Sequence, residues 1–171
     1  DPHLSDAHRT LADVYFAKNE FDKARPHYEA ALETITKDFR VYDNLGQVLL
    51  QHKDYGKAVA NFNIALELKA NSPQTLSNLG TAQFRLRQFR EATDSFNKAL
   101  ALKADLADPH YYLGDMARWQ NKEQEALAEY YKALKIDPHH VDANYRMGNH
   151  FMKEDKPAQA IRHYQIGRAH V

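Results

Sequence analysis

Apolar residues recur along this chain at helical spacing, and no stretch alternates as a strand would. The pattern predicts ten helices in five pairs. First members are expected over about 5–18, 39–52, 73–86, 107–120 and 141–154, and second members over about 22–36, 56–69, 90–103, 124–137 and 158–169. Turn signals separate the members of a pair at Lys18-Asn19-Glu20, Lys53-Asp54, Gln120-Asn121-Lys122 and Asp155-Lys156-Pro157. Between pairs, Ser72-Pro73 reads as an N-cap followed by proline in the first helical turn, where its missing N–H costs nothing. Asp137-Pro138 stops one helix and leads into the next.

The pattern also repeats at a spacing of 34 residues without insertion or deletion. One position reads Ala12, Gly46, Gly80, Gly114, Gly148. A second reads Ala24, Ala58, Ala92, Ala126, Ala160. A third reads Tyr28, Phe62, Phe96, Tyr130, Tyr164, and a fourth reads Ala31, Ala65, Ala99, Ala133, Gly167. A fixed period in this range is the mark of an all-α solenoid. Small residues in the first two positions let paired helices approach, because interaxial distance follows the side chains at the contact. The aromatic fills the wedge between a pair and its neighbour, and the fourth position lets the next pair dock. A helical hairpin cannot bury its apolar face alone, so each repeat depends on its neighbours.

Composition narrows the function. Lys plus Arg equals Asp plus Glu at 23 each, which argues against nucleic acid or an anionic membrane as the main partner, since both need clustered basic residues. The chain has no cysteine, so disulfides, thiolate metal sites and cysteine nucleophiles are excluded. No apolar run reaches the roughly 20 residues needed to span a bilayer. The ten histidines show no HExxH motif or zinc-like spacing, His139-His140 included. No phosphate loop, nucleophile elbow or triad is recognisable. The expectation is a chain without metal, cofactor or catalytic residues.

The recurring residues resemble the tetratricopeptide-repeat family. Repeat four shows its pattern as Leu113-Gly114, Ala126, Tyr130, Ala133 and Pro138, and repeat two shows Leu45-Gly46, Tyr55, Ala58, Phe62 and Ala65. The family's Trp position instead holds His8, Tyr42, Leu76, His110 and Asn144, and its first-helix Tyr position holds Tyr15, Leu49, Gln83, Ala117 and Phe151. The resemblance implies a right-handed superhelix of five helix-turn-helix repeats, over about 5–38, 39–72, 73–106, 107–140 and 141–171, forming a single array. It also implies a non-catalytic scaffold that binds a protein or extended peptide in a concave groove lined by first helices.

On that resemblance the groove residues include Arg9, Asn44, Asn78, Tyr111, Tyr112, Asp115, Tyr145, Arg146 and Asn149. Tyr and Arg are enriched in binding hot spots, so Tyr111, Tyr112, Tyr145 and Arg146 form the preferred ligand cluster. The competing expectation is that these tyrosines pack between repeats. Some members of the family hold a partner's terminal carboxylate in a clamp; here Arg9 and Asn44 match it, but Asp13 would repel a carboxylate. Asn44 and Asn78 also make two rungs of an asparagine ladder that could grip peptide backbone. Trp119, the one tryptophan, is expected to fill space vacated where Ala117 and Glu123 replace aromatics; a solvent-facing binding role is the alternative.

Other roles stay open on the sequence. The array could be a structural or regulatory module that self-associates through an uncapped C-terminal end, or one appended to a catalytic domain such as a glycosyltransferase. Ile166-Gly167-Arg168-Ala169-His170-Val171 resembles the translation of a sequencing adapter. On that reading 166–171 is not natural sequence, the last repeat is truncated, and the chain is a fragment of a bacterial protein, cytoplasmic or periplasmic.

Overall fold

The computed structural model describes residues 2–168. Among them it contains ten α-helices: α1 (Pro2–Ala17), α2 (Phe21–Ala31), α3 (Phe39–Gln51), α4 (Tyr55–Leu68), α5 (Pro73–Arg85), α6 (Phe89–Leu102), α7 (Ala107–Trp119), α8 (Glu123–Ile136), α9 (Val141–Lys153) and α10 (Pro157–Arg168). The fold is an all-α helical repeat solenoid, as the periodicity predicts. The helices α1, α3, α5, α7 and α9 start or end within a few residues of expectation. The helix α2 stops at Ala31 rather than near 36. Its C-terminal continuation Thr34-Ile35-Thr36 is β-branched, which is unfavourable in a helix, and Pro26 has already removed one bond from its ladder.

Contacts divide the chain into two compact units, Asp1–Ser95 and Phe96–Val171. In the first, α1 packs on α2 and α3 on α4, while α3 also touches α1 and α5. The core here joins Ala12, Ala24, Tyr28, Val48, Leu49, Ala58, Phe62 and Ala82, with Phe16 and Phe21 packed at its edge. In the second, α7 packs on α8 and α9 on α10, around Tyr130, Ala126, Ala133, Met147 and Ala160.

The turns inside the hairpins repeat at atomic level. Asn19, Lys53, Arg87, Asn121 and Asp155 all have positive φ, between 54° and 62°. The following residue's N–H reaches back to the carbonyl five residues earlier: Glu20 to Tyr15 at 2.9 Å, Asp54 to Leu49 at 2.9 Å, Gln88 to Gln83 at 2.9 Å, Lys122 to Ala117 at 3.0 Å and Lys156 to Phe151 at 2.9 Å. This is the Schellman ending, which satisfies otherwise orphaned carbonyls. Asn and Asp tolerate the left-handed region; Lys53 and Arg87 adopt it at a higher cost. Ser72 caps α5 through its hydroxyl and Pro73 lies in the first turn, as the sequence indicates.

The glycine position has a specific cause. A Cβ on Gly46 would lie 2.6 Å from Phe62 Cε1, one on Gly114 2.7 Å from Tyr130 Cε1, and one on Gly148 2.4 Å from Tyr164 Cε1. The ring of the same repeat therefore packs closer to the glycine than the facing alanine does. Gly167 is different. A Cβ there would meet Val141 O at 3.5 Å, an ordinary contact, so packing does not require glycine at the one break in its position. The remaining residues of the adapter-like stretch, 169–171, lie outside the described residues.

These contacts predict opposite signs for two identical substitutions. Gly46→Ala should lower unfolding free energy by about 1–3 kcal/mol through overpacking. Gly167→Ala should raise it by up to about 1 kcal/mol through helix propensity. Chemical denaturation measures both, and equal effects would contradict the ring-on-glycine account.

Candidate functional site

Several first-helix candidate residues are joined by hydrogen bonds. In the first unit, Asp13 on α1 faces α2 and α3. Its Oδ1 accepts from Tyr28 Oη at 2.7 Å and from Asn44 Nδ2 at 3.3 Å. Asn44 Nδ2 also lies 3.0 Å from Tyr28 Oη, to which it donates. Arg9 pairs with Asp6 at 3.6 Å and Asp13 at 3.9 Å. Arg9 and Asn44, the two matches to a carboxylate clamp, are thus both turned to Asp13. Asn78 is half-buried, and its Oδ1 accepts from Gln74 Nε2 at 3.2 Å. Gln47 Nε2 donates to Asp43 Oδ2 at 3.0 Å. Burial pushes the Asp43 carboxyl above the usual range, against hydrogen bonds from Thr75 and Gln47.

The second unit repeats this geometry with stronger partners. Asp115 on α7 is 2% exposed. Its Oδ1 accepts from Tyr130 Oη at 2.7 Å and Arg146 Nε at 2.8 Å. Its Oδ2 accepts from Arg146 Nη2 at 2.8 Å and Tyr111 Oη at 3.2 Å. The two-point Arg–carboxylate contact is the strong form of this bond, and Arg146 is held firmly charged by Asp115 although burial works against it. Burial, then the neighbouring carboxylate, pushes the hydroxyls of Tyr28 and Tyr130 up, so both remain donors. On α9 and α10, Tyr164 Oη donates to Asn149 Oδ1 at 2.8 Å.

One rule links these contacts. Where the wedge aromatic is Tyr, the first-helix residue fifteen positions earlier is Asp13, Asp115 or Asn149; where it is Phe62 or Phe96, that position is Gln47 or Thr81. A buried hydroxyl needs an acceptor, and an unneeded acceptor would be costly to bury.

The divergent family positions follow a similar rule. The former Trp position pairs with a second-helix residue nineteen later: His8 Nδ1 with His27 Nδ1 at 2.9 Å, His110 Nδ1 with Glu129 Oε2 at 2.7 Å, and His163 Nδ1 with Asn144 Oδ1 at 2.8 Å. Asn144 Nδ2 donates to Pro138 O and His140 O, so its oxygen faces His163, which must donate. In the third repeat the Trp position holds Leu76, and Ser95, nineteen residues later, donates instead to Gln83 Oε1, at the first-helix Tyr position, at 2.7 Å. Burial pushes Glu129 up, but hydrogen bonds from His110 and Lys132 outweigh it and hold the carboxyl low.

The preferred ligand cluster is only partly open. Tyr111 and Tyr112 are buried, at 7% and 8% exposure. Tyr112 stacks on Phe96 at 5.4 Å, and Tyr111 lies against His140 at 5.1 Å. Tyr145 is 54% exposed, beside half-buried Arg146 and Asn149. Trp119 is 48% exposed and does not line the space near Glu123 that it was expected to fill. Among the described residues no helix is long and apolar enough to cross a membrane.

Comparison with known proteins gives the class. Family models described as tetratricopeptide repeat match residues 3–71 and 77–141. The chain belongs to the tetratricopeptide-repeat family. Its fold is similar to a crystal structure of MamA at 22% identity, covering 92% of each chain with a TM-score of 0.71. It is also similar to MamA residues 41 to the end from Desulfovibrio magneticus RS-1 at 18% identity, covering 98% of this chain and 97% of that one, TM-score 0.75. A third similar structure is YrrB, described as a TPR protein with an unusual peptide-binding site, at 22% identity, 94% and 82% coverage and TM-score 0.66. No curated protein matches the chain.

Burial holds His163 below its ordinary value of 6.5. A depressed pKa means the unfolded chain binds the proton first, so the contribution of His163 is fully present above that ordinary value and is lost as pH falls below it. An NMR titration should place its midpoint below 6.5. The stability advantage of the natural chain over His163→Gln should shrink between about pH 7 and 5. A midpoint above 6.5, or an advantage that grows on acidification, contradicts this arrangement.

Proposed function

We propose that the protein is a non-catalytic scaffold whose first-helix faces bind a protein or an extended peptide. The observation that carries this is the face of α1, α3 and α5 in the first unit, where Arg9, Asn44, Gln47, Gln74 and Asn78 are exposed or half-buried and α3 touches both α1 and α5. Side-chain amides offer a donor and an acceptor each, which is the chemistry that pairs with peptide backbone. In the second unit, Tyr145 with Arg146 and Asn149 provides contact area with polar handles. Tyr111, Tyr112 and Asp115 act there by holding Arg146 and the helices in place. The similarity to YrrB, a TPR protein with an unusual peptide-binding site, supports the reading by analogy of fold.

A second reading rests on a different observation. Val141, Tyr145, Ile161 and Tyr164 line an open, largely apolar hollow of about 650 Å³ on α9 and α10, with Tyr145 and Ile161 more than half exposed. Such a face suits a regulatory or oligomerisation module. Sedimentation velocity distinguishes this reading: Ile161→Glu should abolish concentration-dependent association, and a monomer at all concentrations removes it.

Peptides selected from a random display library against the full chain test the first reading. Asn78→Ala and Tyr145→Ala should each weaken a selected peptide about 5- to 10-fold, the loss of one hydrogen bond or one aromatic contact, with helicity unchanged. Unaltered affinity in both variants would refute the assignment.

A further inference from the structure

The second unit contains a charged cavity at positions where the first and third repeats pack aromatic rings. In the first repeat, Phe16 packs edge-on against Phe21 at 5.7 Å and Tyr28 at 6.3 Å, and Phe84 meets Phe89 in the same way at 5.9 Å. The equivalent pair in the fourth repeat is Arg118 and Glu123. Across from it, the positions of Val48 and Gln51 are taken by His150 and Lys153. Phe16, Phe21 and Val48 belong to one apolar core, whereas Arg118, Glu123, His150 and Lys153, on three helices, line a hollow.

That hollow measures about 350 Å³ and is lined by Arg118, Glu123, Arg146, Asn149, His150 and Lys153, with apolar walls from α8. Arg118 Nε is buried without a hydrogen-bond partner and stands 3.7 Å from Asp115 Oδ1. A buried, unsatisfied guanidinium N–H is costly unless something accepts from it. Arg146 is anchored at the rim through Nε and Nη2 to Asp115, which places a rigid cation there. Glu123, the one carboxylate in the lining, is 48% exposed at its side chain and lies 3.9 Å from His150. The lining thus carries Arg118, Arg146 and Lys153 with His150 against a single carboxylate. Its volume is at the lower end for a ligand pocket, too large for a lone water and suited to an acidic side chain or a small phosphorylated group.

We propose that this cavity is an oxyanion-binding site that receives a carboxylate or phosphate group on Arg118, Lys153 and the anchored Arg146. Guanidinium forks match the geometry of both anions. The site does not depend on the peptide-scaffold reading, because a free anion suffices to reveal it.

The test uses the full chain labelled with nitrogen-15, titrated at constant ionic strength with inorganic phosphate and, separately, with glutarate. The Arg118 Nε–H resonance should move saturably with one or both, at a millimolar dissociation constant. Arg118→Leu, which installs the side chain of Leu50 in the second repeat, and Lys153→Gln, which installs that of Gln51, should each weaken binding at least 5-fold while amide shifts of the first unit stay in place. Tighter phosphate identifies a phosphoryl ligand, and tighter glutarate an acidic side chain. No saturable shift with either anion, or equal binding in both variants, overturns the proposal.

Discussion

Everything in these repeats depends on one aromatic ring lying against a residue without a side chain. The ring of Phe62, Tyr130 or Tyr164 occupies the space that a Cβ of Gly46, Gly114 or Gly148 would need. Close packing of this kind fixes the distance between the two helices of a hairpin. It also fixes where the tip of the ring points, and that tip decides the chemistry of the next layer. A Phe tip is content against apolar neighbours. A Tyr tip is buried with a hydroxyl that must find an acceptor, and it finds Asp13, Asp115 or Asn149.

From that point the polar residues of the first helices cease to be free agents. Asp13 recruits Asn44 from the following repeat, and Asp115 recruits Arg146. Residues that look like ligand contacts along a helical face are therefore partly the means by which one repeat holds the next. On the function proposed above, recognition falls to what these bonds leave over: the amides of Gln74 and Asn78, the exposed ring of Tyr145 and the charged hollow lined by Arg146. The family's tryptophan is absent from its position in all five repeats. Hydrogen-bonded pairs such as His110 with Glu129 and Asn144 with His163 replace its bulk.

The fold was legible because each repeat states it again. Ten helices, their small and aromatic positions and the cap at Ser72 could be read directly, since burial acts on apolar spacing that a sequence displays. The early end of α2 was missed because Pro26 and three β-branched residues oppose a pattern that otherwise continues. The site was less legible. Tyr111 and Tyr145 share a position in the repeat, yet Tyr111 is buried among Tyr112, Tyr130 and His140 while Tyr145 is more than half exposed. The pairing rules at separations of 15 and 19 residues were present in the sequence, but only as correlations between columns of the repeat. The replacement of Phe16 and Phe21 by Arg118 and Glu123 was visible in the same columns, while Trp119, expected to fill space left at Ala117 and Glu123, does not line the hollow beside Glu123.

The central claim is that the first-helix polar residues bind neighbouring repeats to each other. A double-mutant cycle between Asp115 and Arg146, using Asp115→Ala, Arg146→Met and the double variant in equilibrium denaturation, tests it most directly. The two-point contact on a buried carboxylate predicts a coupling of about 2–3 kcal/mol. A coupling below about 0.5 kcal/mol, the level of independent sites, would mean that Arg146 is free for a ligand and that the repeats are held by apolar packing alone.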